Sequence, residues 1–206
     1  MFSARALHYL TTLERREHVV DLGVVREALA RHGIPPLDVC LAFHAALAGY
    51  VEPAGRDEFV YGIIHQDSYW YGQLSPEASH DDGIWYVTYA DGDPTYGREM
   101  DEHGILYGEC RSRQASSFVS FIEQRAFIAE FWGGGPTVRK YVKVPPTFAP
   151  ELKARLEPLR VTELCDGIAT VWTGPTFCLF AADSSDWLLW MRPDSPLGEL
   201  TPFVLF

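Results

Sequence analysis

The sequence predicts an α+β fold, with N-terminal helices and one central helix packed on a mainly antiparallel sheet and a C-terminal β-meander. Three observations lead there. Apolar residues recur at helical spacing before about Tyr50 and again from Ser117 to Trp132, and at alternate positions through much of the remainder. Helical and strand-like stretches come in blocks, without a regular βαβ alternation. Gly, Pro, Asp and Ser clusters punctuate the blocks. Of 206 residues, 47% are hydrophobic and 14% aromatic, enough apolar surface for one large domain, and residues 1–206 are read as one.

Ser3 is placed to cap a first helix carrying Leu7, Leu10 and Leu13. Val25 and Leu29 mark a second helix, which Gly33 stops. Pro35-Pro36 opens a third, with Val39, Phe43 and Leu47 spaced by four beside Cys40, and Gly49 closes it. From Glu58 the period changes to two. The segments 59–64, 84–89 and 105–107 read as strands. Helical spacing then returns: Ser116 or Ser117 caps a stripe of Phe118, Phe121, Ile122, Ala126, Ala129 and Trp132, ended by Gly133-Gly134-Gly135-Pro136. The buried side of these helices is expected to include Phe43, Leu47, Phe118, Ile122 and Ala126. Beyond lie a basic strand, 138–144, a short helix around Leu152, Leu156 and Leu159, and meander strands over 168–173, 177–182 and 187–191.

Cys40, Cys110, Cys165 and Cys178 are far apart, with no C-x-x-C pair, and are expected to be free thiols. The first sixteen residues contain no continuous apolar stretch of the kind an export signal needs, and no apolar run reaches the roughly 18 residues of a membrane span. A soluble, cytoplasmic protein is the expectation. The chain has no Asn, and 14 of its 17 basic residues are Arg. Asn and Lys share A-rich codons, so a GC-rich, bacterial genome is the simplest cause.

Catalytic and metal-binding patterns are weak. His65-x-Asp67 and His80-Asp81-Asp82 place carboxylates beside imidazoles, yet no second His stands one turn away on a helix. Asp91, Asp93, Thr95 and Glu102 fall on a calcium-loop template that then fails, because its sixth position is Tyr96 where Gly is needed and Pro94 stiffens the loop. Cys40 and His44 lie one helical turn apart, a spacing that any core helix shows. The Gly133 to Gly135 run follows a helix, whereas a phosphate-binding loop precedes one. No cofactor, no intrinsic metal and no enzymatic activity are expected.

Charge is the distinctive signal. Between Glu77 and Glu109 nine acids face one base, Arg98, a net of −8 within a chain of −11. Nucleic acid is disfavoured as a ligand, since phosphates require a basic footprint. A basic protein is favoured, because a concentrated acidic surface steers and accelerates its association. Tyr86, Tyr89, Tyr96 and Tyr107 interleave the acids, as suits an interface. Asp91, Asp93, Tyr96, Glu99, Asp101 and Glu102 are the candidate partner-binding residues.

Three short stretches resemble the SUKH superfamily, over residues of about 25–132, with 133–206 as a C-terminal extension. Gly33-Ile34-Pro35-Pro36 with Phe43 and Gly49-Tyr50 is similar to the family's Pro-led helix ending in a glycine. Asp101-Glu102-His103-Gly104-Ile105-Leu106-Tyr107 is similar to its acidic turn, glycine and strand. Ala115-Ser116-Ser117-Phe118-Val119-Ser120-Phe121-Ile122 is similar to its capped following helix. The superfamily is best known as bacterial immunity proteins that neutralise polymorphic toxins, and it includes a yeast cell-wall regulator. The resemblance implies a non-enzymatic inhibitor that occludes the active cleft of a cognate toxin, often a nucleic-acid-modifying enzyme. Two alternatives remain open from the sequence: an intracellular scaffold or peptide-binding module, and a hydrolase using His65 and Asp67 or His80, Asp81 and Asp82.

Overall fold

In the computed structural model the protein is α+β. The structure describes residues 1–17, 19–54, 57–63, 98–108, 113–133, 138–144, 146–181 and 186–191, with the backbone of short strand segments at 69–70, 73–74, 85–88 and 90–91. The chain divides into two compact units, one of residues 7–111 and one of residues 1–6 with 112–206.

The first helix, α1 (Ala4–Thr12), begins where Ser3 Oγ accepts from the Ala6 amide at 3.1 Å. Its buried side is Ala6, Tyr9 and Leu10, while Leu7 is 52% exposed. The expected stripe through Leu7 and Leu13 is thus rotated, because the small Ala6 and the amphipathic Tyr9 supply the inner face. In the 7–111 unit, α2 (Leu22–Arg31) starts at Asp21, whose Oδ1 accepts from the Gly23 amide at 2.7 Å. It ends in a tight hydrogen-bonded reversal. Gly33, at φ +73°, donates to the Ala30 carbonyl at 3.0 Å and Ile34 donates to the Leu29 carbonyl at 2.9 Å. Ile34 and Leu29 are both buried there, the apolar contact that accompanies such a stop.

Helix α3 (Asp38–Leu47) packs against α2 and buries Cys40, Leu41, Phe43, His44 and Leu47. It starts two residues after Pro36, with Leu37 as its boundary residue. Two antiparallel ladders follow. One runs through β1 (Glu14–Arg15), β2 (Tyr50–Ala54), β3 (Asp57–Val60) and β7 (Ala90–Asp91). The other joins β6 (Trp85–Thr88), β8 (Arg98–Asp101) and β9 (Leu106–Tyr107), while β4 (Tyr69–Trp70) and β5 (Gln73–Leu74) pair separately. The mainly antiparallel sheet expected here is built as small antiparallel ladders. The first expected strand ends early, at Val60, where regular pairing gives way to a two-against-one arrangement: the Gly49 amide donates to the Tyr61 carbonyl and the Tyr61 amide to the Tyr50 carbonyl, at 2.9 Å each.

In the other unit a short strand, β10 (Arg113–Ala115), leads into α4 (Phe118–Trp132). Ser117 Oγ accepts from the Ser120 amide at 3.1 Å, and Gly133 closes the helix in the left-handed region at φ +54°. Phe121, Ile122, Ala126 and Ile128 are buried, but Phe118 is only half-buried, lying edge-on to Phe2 at 6.1 Å, and Ala129 is exposed. Residues 1–5 lie along α4: Ser3 donates through N and Oγ to the Glu123 carboxylate at 2.6 Å each, and Arg5 pairs with Glu130 at 2.9 Å.

The C-terminal strands form one antiparallel sheet ordered β11 (Val138–Lys143), β14 (Asp186–Met191), β13 (Phe177–Ala181), β12 (Thr170–Thr173). The basic strand thus joins the meander at its last strand. Alternation assigns the two faces. Trp172, Phe177, Leu179, Trp187 and Leu189 pack with Leu152 and Leu156 of α5 (Ala149–Leu156), and the Trp172 and Trp187 rings stack at 5.4 Å. Val171 and Cys178, on the other face, pack with Ile128 of α4 and Leu164. A one-residue slip would exchange these two sets, so two covered faces hold the register.

Candidate partner interface

The acidic turn between β8 and β9 is built by one of its own acids. Asp101 Oδ1 accepts from the His103 and Ile105 amides at 2.9 Å each, and Oδ2 accepts from the Tyr107 hydroxyl at 3.0 Å. The Asp101 backbone amide also donates to the Ile105 carbonyl at 3.1 Å. A short acidic side chain at a turn is suited to this role, since it reaches amides two and four residues on. Gly104 completes the turn at φ +83°, lying so close to α3 that a Cβ there would stand 2.5 Å from Val39 Cγ2. Asp101 is 9% exposed. Its carboxylate, expected among the partner-binding groups, accepts these hydrogen bonds from its own turn. Glu102, next to it, is exposed, and Glu99 on β8 is half-buried.

Arg98 begins β8 and points inward. It is 8% exposed, its guanidinium lies 3.4 Å from Glu52 Oε2 and 3.3 Å from the Tyr61 hydroxyl, and it stacks 4.6 Å above the Phe59 ring. Tyr61 donates a short hydrogen bond to Glu52 Oε2. Glu52 is 2% exposed, so both charges are removed from water and each requires the other. Burial pushes the Tyr61 hydroxyl well above its ordinary pKa, the Arg98 charge only partly opposing it. This Glu52, Tyr61 and Arg98 cluster ties β8 to the β2–β3 hairpin. No sequence motif announces it.

His44 is the second buried polar group of that unit. Nε2 donates to the Val20 carbonyl at 2.8 Å and Nδ1 accepts from the Ile63 amide at 3.1 Å, which defines the neutral tautomer with the proton on Nε2. Burial lowers its pKa, against the raising effects of the Val20 carbonyl and Asp21. Cys40, one turn earlier, has its thiol pushed up to about 12 by burial. A protonated thiol beside a fully engaged imidazole is a core arrangement and not a nucleophile with its base.

Of the other expected positions, Asp91 lies on β7, where its backbone pairs with Glu58. Asp93 and Tyr96 fall outside the described residues, as do His65, Asp67, His80, Asp81 and Asp82. Cys40, Cys165 and Cys178 are free thiols, and Cys110 lies outside the described residues. Among the described residues no group of three or more His, Cys, Asp or Glu side chains is gathered as for a metal, and no helix is long and apolar enough to cross a membrane. Comparison with protein-family models, with curated proteins and with solved structures finds no match to this chain.

Proposed function

We propose that the protein works by binding another protein, with the acidic region between Glu77 and Glu109 docking on a basic surface. The resemblance noted above makes a cognate toxin, covered at its active cleft, the first choice of partner. What carries this reading is the position of Arg98. The one base in that region is buried and paired with Glu52, which lies outside it, and the nine acids of the region give it a net charge of −8. Asp101 contributes differently, by holding the turn that presents Glu102. Surface charges of this kind act mainly on the association rate and on its salt dependence.

The test neutralises Asp91, Asp93, Glu99 and Glu102 to their amides together, leaving Asp101 intact. A control variant neutralises the exposed Glu14, Glu17, Glu27 and Glu163. Affinity capture from the native host should retain a basic protein on the parent and on the control, and release it from the first variant at about physiological salt. Equal retention by all three would move the interface to another face. Asp101→Ala should lower the unfolding free energy in urea by about 2–4 kcal/mol, because it removes the carboxylate that accepts from two amides and a hydroxyl. Glu102→Gln should stay within about 0.5 kcal/mol of the parent.

A further inference from the structure

The C-terminal sheet begins with a strand unlike the rest of the chain. All three lysines of the protein, Lys140, Lys143 and Lys153, fall within residues 138–160, and that stretch holds six bases against two acids, a net of +4 in a chain of −11. Arg139, Lys140 and Lys143 lie on β11 itself. This strand is the terminal member of the sheet. It pairs with β14 along its whole length, from Val138 opposite Met191 to Lys143 opposite Asp186, and no other described strand pairs with it. Six regularly paired residues give an unbroken ladder. On its outer side the backbone N–H and C=O groups of alternate residues point away from β14.

The opposite edge of the sheet is finished differently. There the Val161 amide donates to the Val171 carbonyl at 2.9 Å and Arg160 bridges to Trp172, so β12 is covered by its own chain. The two edges therefore differ: one is capped locally, the other is a basic six-residue template.

We propose that the outer edge of β11 docks an acidic, extended peptide segment, which adds to the sheet as a further antiparallel or parallel strand. Main-chain hydrogen bonds would supply the affinity common to strand addition, and charge selects the occupant. A second copy of β11 is disfavoured, because pairing two such strands sets Arg139, Lys140 and Lys143 against their own kind, and like charges on facing strands repel. An acidic strand meets the opposite situation. This inference does not depend on the reading of the acidic region.

The experiment is a fluorescence-anisotropy titration of the full chain with a labelled decapeptide of alternating Glu and Val. Comparison probes are the same peptide N-methylated at two adjacent central residues, one for each of its edges, a Lys and Val counterpart, and a single-stranded oligonucleotide. Saturable binding of the Glu and Val peptide is expected, weakened about tenfold by N-methylation and about tenfold by Lys140→Glu with Lys143→Glu. The Lys and Val peptide should not bind. The N-methylated probe needs no variant, so it decides the matter even where the double substitution impairs folding. No saturable binding, equal binding of the N-methylated peptide, or displacement of the peptide by the oligonucleotide at equal concentration would each overturn the proposal. So would a salt-sensitive dimer of the parent chain that the double variant loses, which would assign the edge to a second copy.

Discussion

Both ring nitrogens of His44 are engaged, Nε2 as donor to Val20 and Nδ1 as acceptor from Ile63, and a second proton would remove the acceptor while placing a charge in a buried site. The imidazole therefore binds its proton less readily folded than unfolded. With the folded pKa below the unfolded value of about 6.5, the unfolded chain takes up more protons between those two values, so stability rises with pH across that window. His44 contributes fully above about pH 6.5, and its contribution is lost as pH falls through the lowered folded value. The melting temperature of the parent should thus fall more steeply between pH 7 and pH 5 than that of His44→Gln, which has no titrating ring. Parallel pH profiles for the two proteins would refute this account. Cys40 follows the same logic in a neutral direction: burial favours the thiol, and packing suffices to explain why a Cys lies there.

Two glycines show how element ends are held, and they separate conformation from crowding. Gly33, which stops α2, and Gly104, in the β8–β9 turn, both have positive φ, at +73° and +83°. A Cβ on Gly33 meets nothing within 4 Å, whereas one on Gly104 would overlap Val39 Cγ2. Gly33→Ala should therefore cost about 1 kcal/mol, the left-handed backbone penalty alone. Gly104→Ala should cost about 1–3 kcal/mol more, the overpacking of α3 against the turn. Urea unfolding reads both, and Val39→Ala combined with Gly104→Ala should recover part of the second cost and none of the first. Similar costs for the two glycines would mean that the turn can move off α3. At this scale much was legible: Ser117 and Gly133 bound α4, and Gly33 stops α2, because capping chemistry acts within a few residues. Arg98 to Asp101 is a strand that no alternation in the sequence marks, since its pairing partners lie on other segments.

Across the larger frame of residues 7–111, the Glu52 and Arg98 pair joins strands 46 positions apart in the chain. Breaking such a pair from one side leaves a buried, uncompensated charge. Arg98→Met alone or Glu52→Leu alone should each destabilise by about 3–5 kcal/mol. The double substitution should recover most of that loss, with the Tyr61 hydroxyl accounting for a residual of about 1–3 kcal/mol. Additive losses in a double-mutant cycle would refute the coupling. In the C-terminal unit the organisation is a sheet covered on both faces, by α5 on one side and by α4 with Leu164 on the other. Each large apolar side chain buried there stabilises by about 1.5–3 kcal/mol.

The sequence by itself determined the α+β class, the periodic core faces carrying Phe43, Leu47, Ile122 and Ala126, the C-terminal end of α2, both ends of α4 and the strands of the meander. All of these depend on hydrophobic spacing and on capping groups a few residues apart, which a linear reading contains. It also located an acidic region, but not the separate roles of the acids within it. Only the tertiary structure decided that Asp101 serves its own turn, that Phe118 is half-covered by Phe2, and that Arg98 pairs with Glu52. It also decided that the basic strand joins β14, the one described strand that pairs with it. The physical reason is common to the four: a charge, a ring or a strand edge is satisfied by whatever folding brings beside it, and distance along the chain does not specify that neighbour.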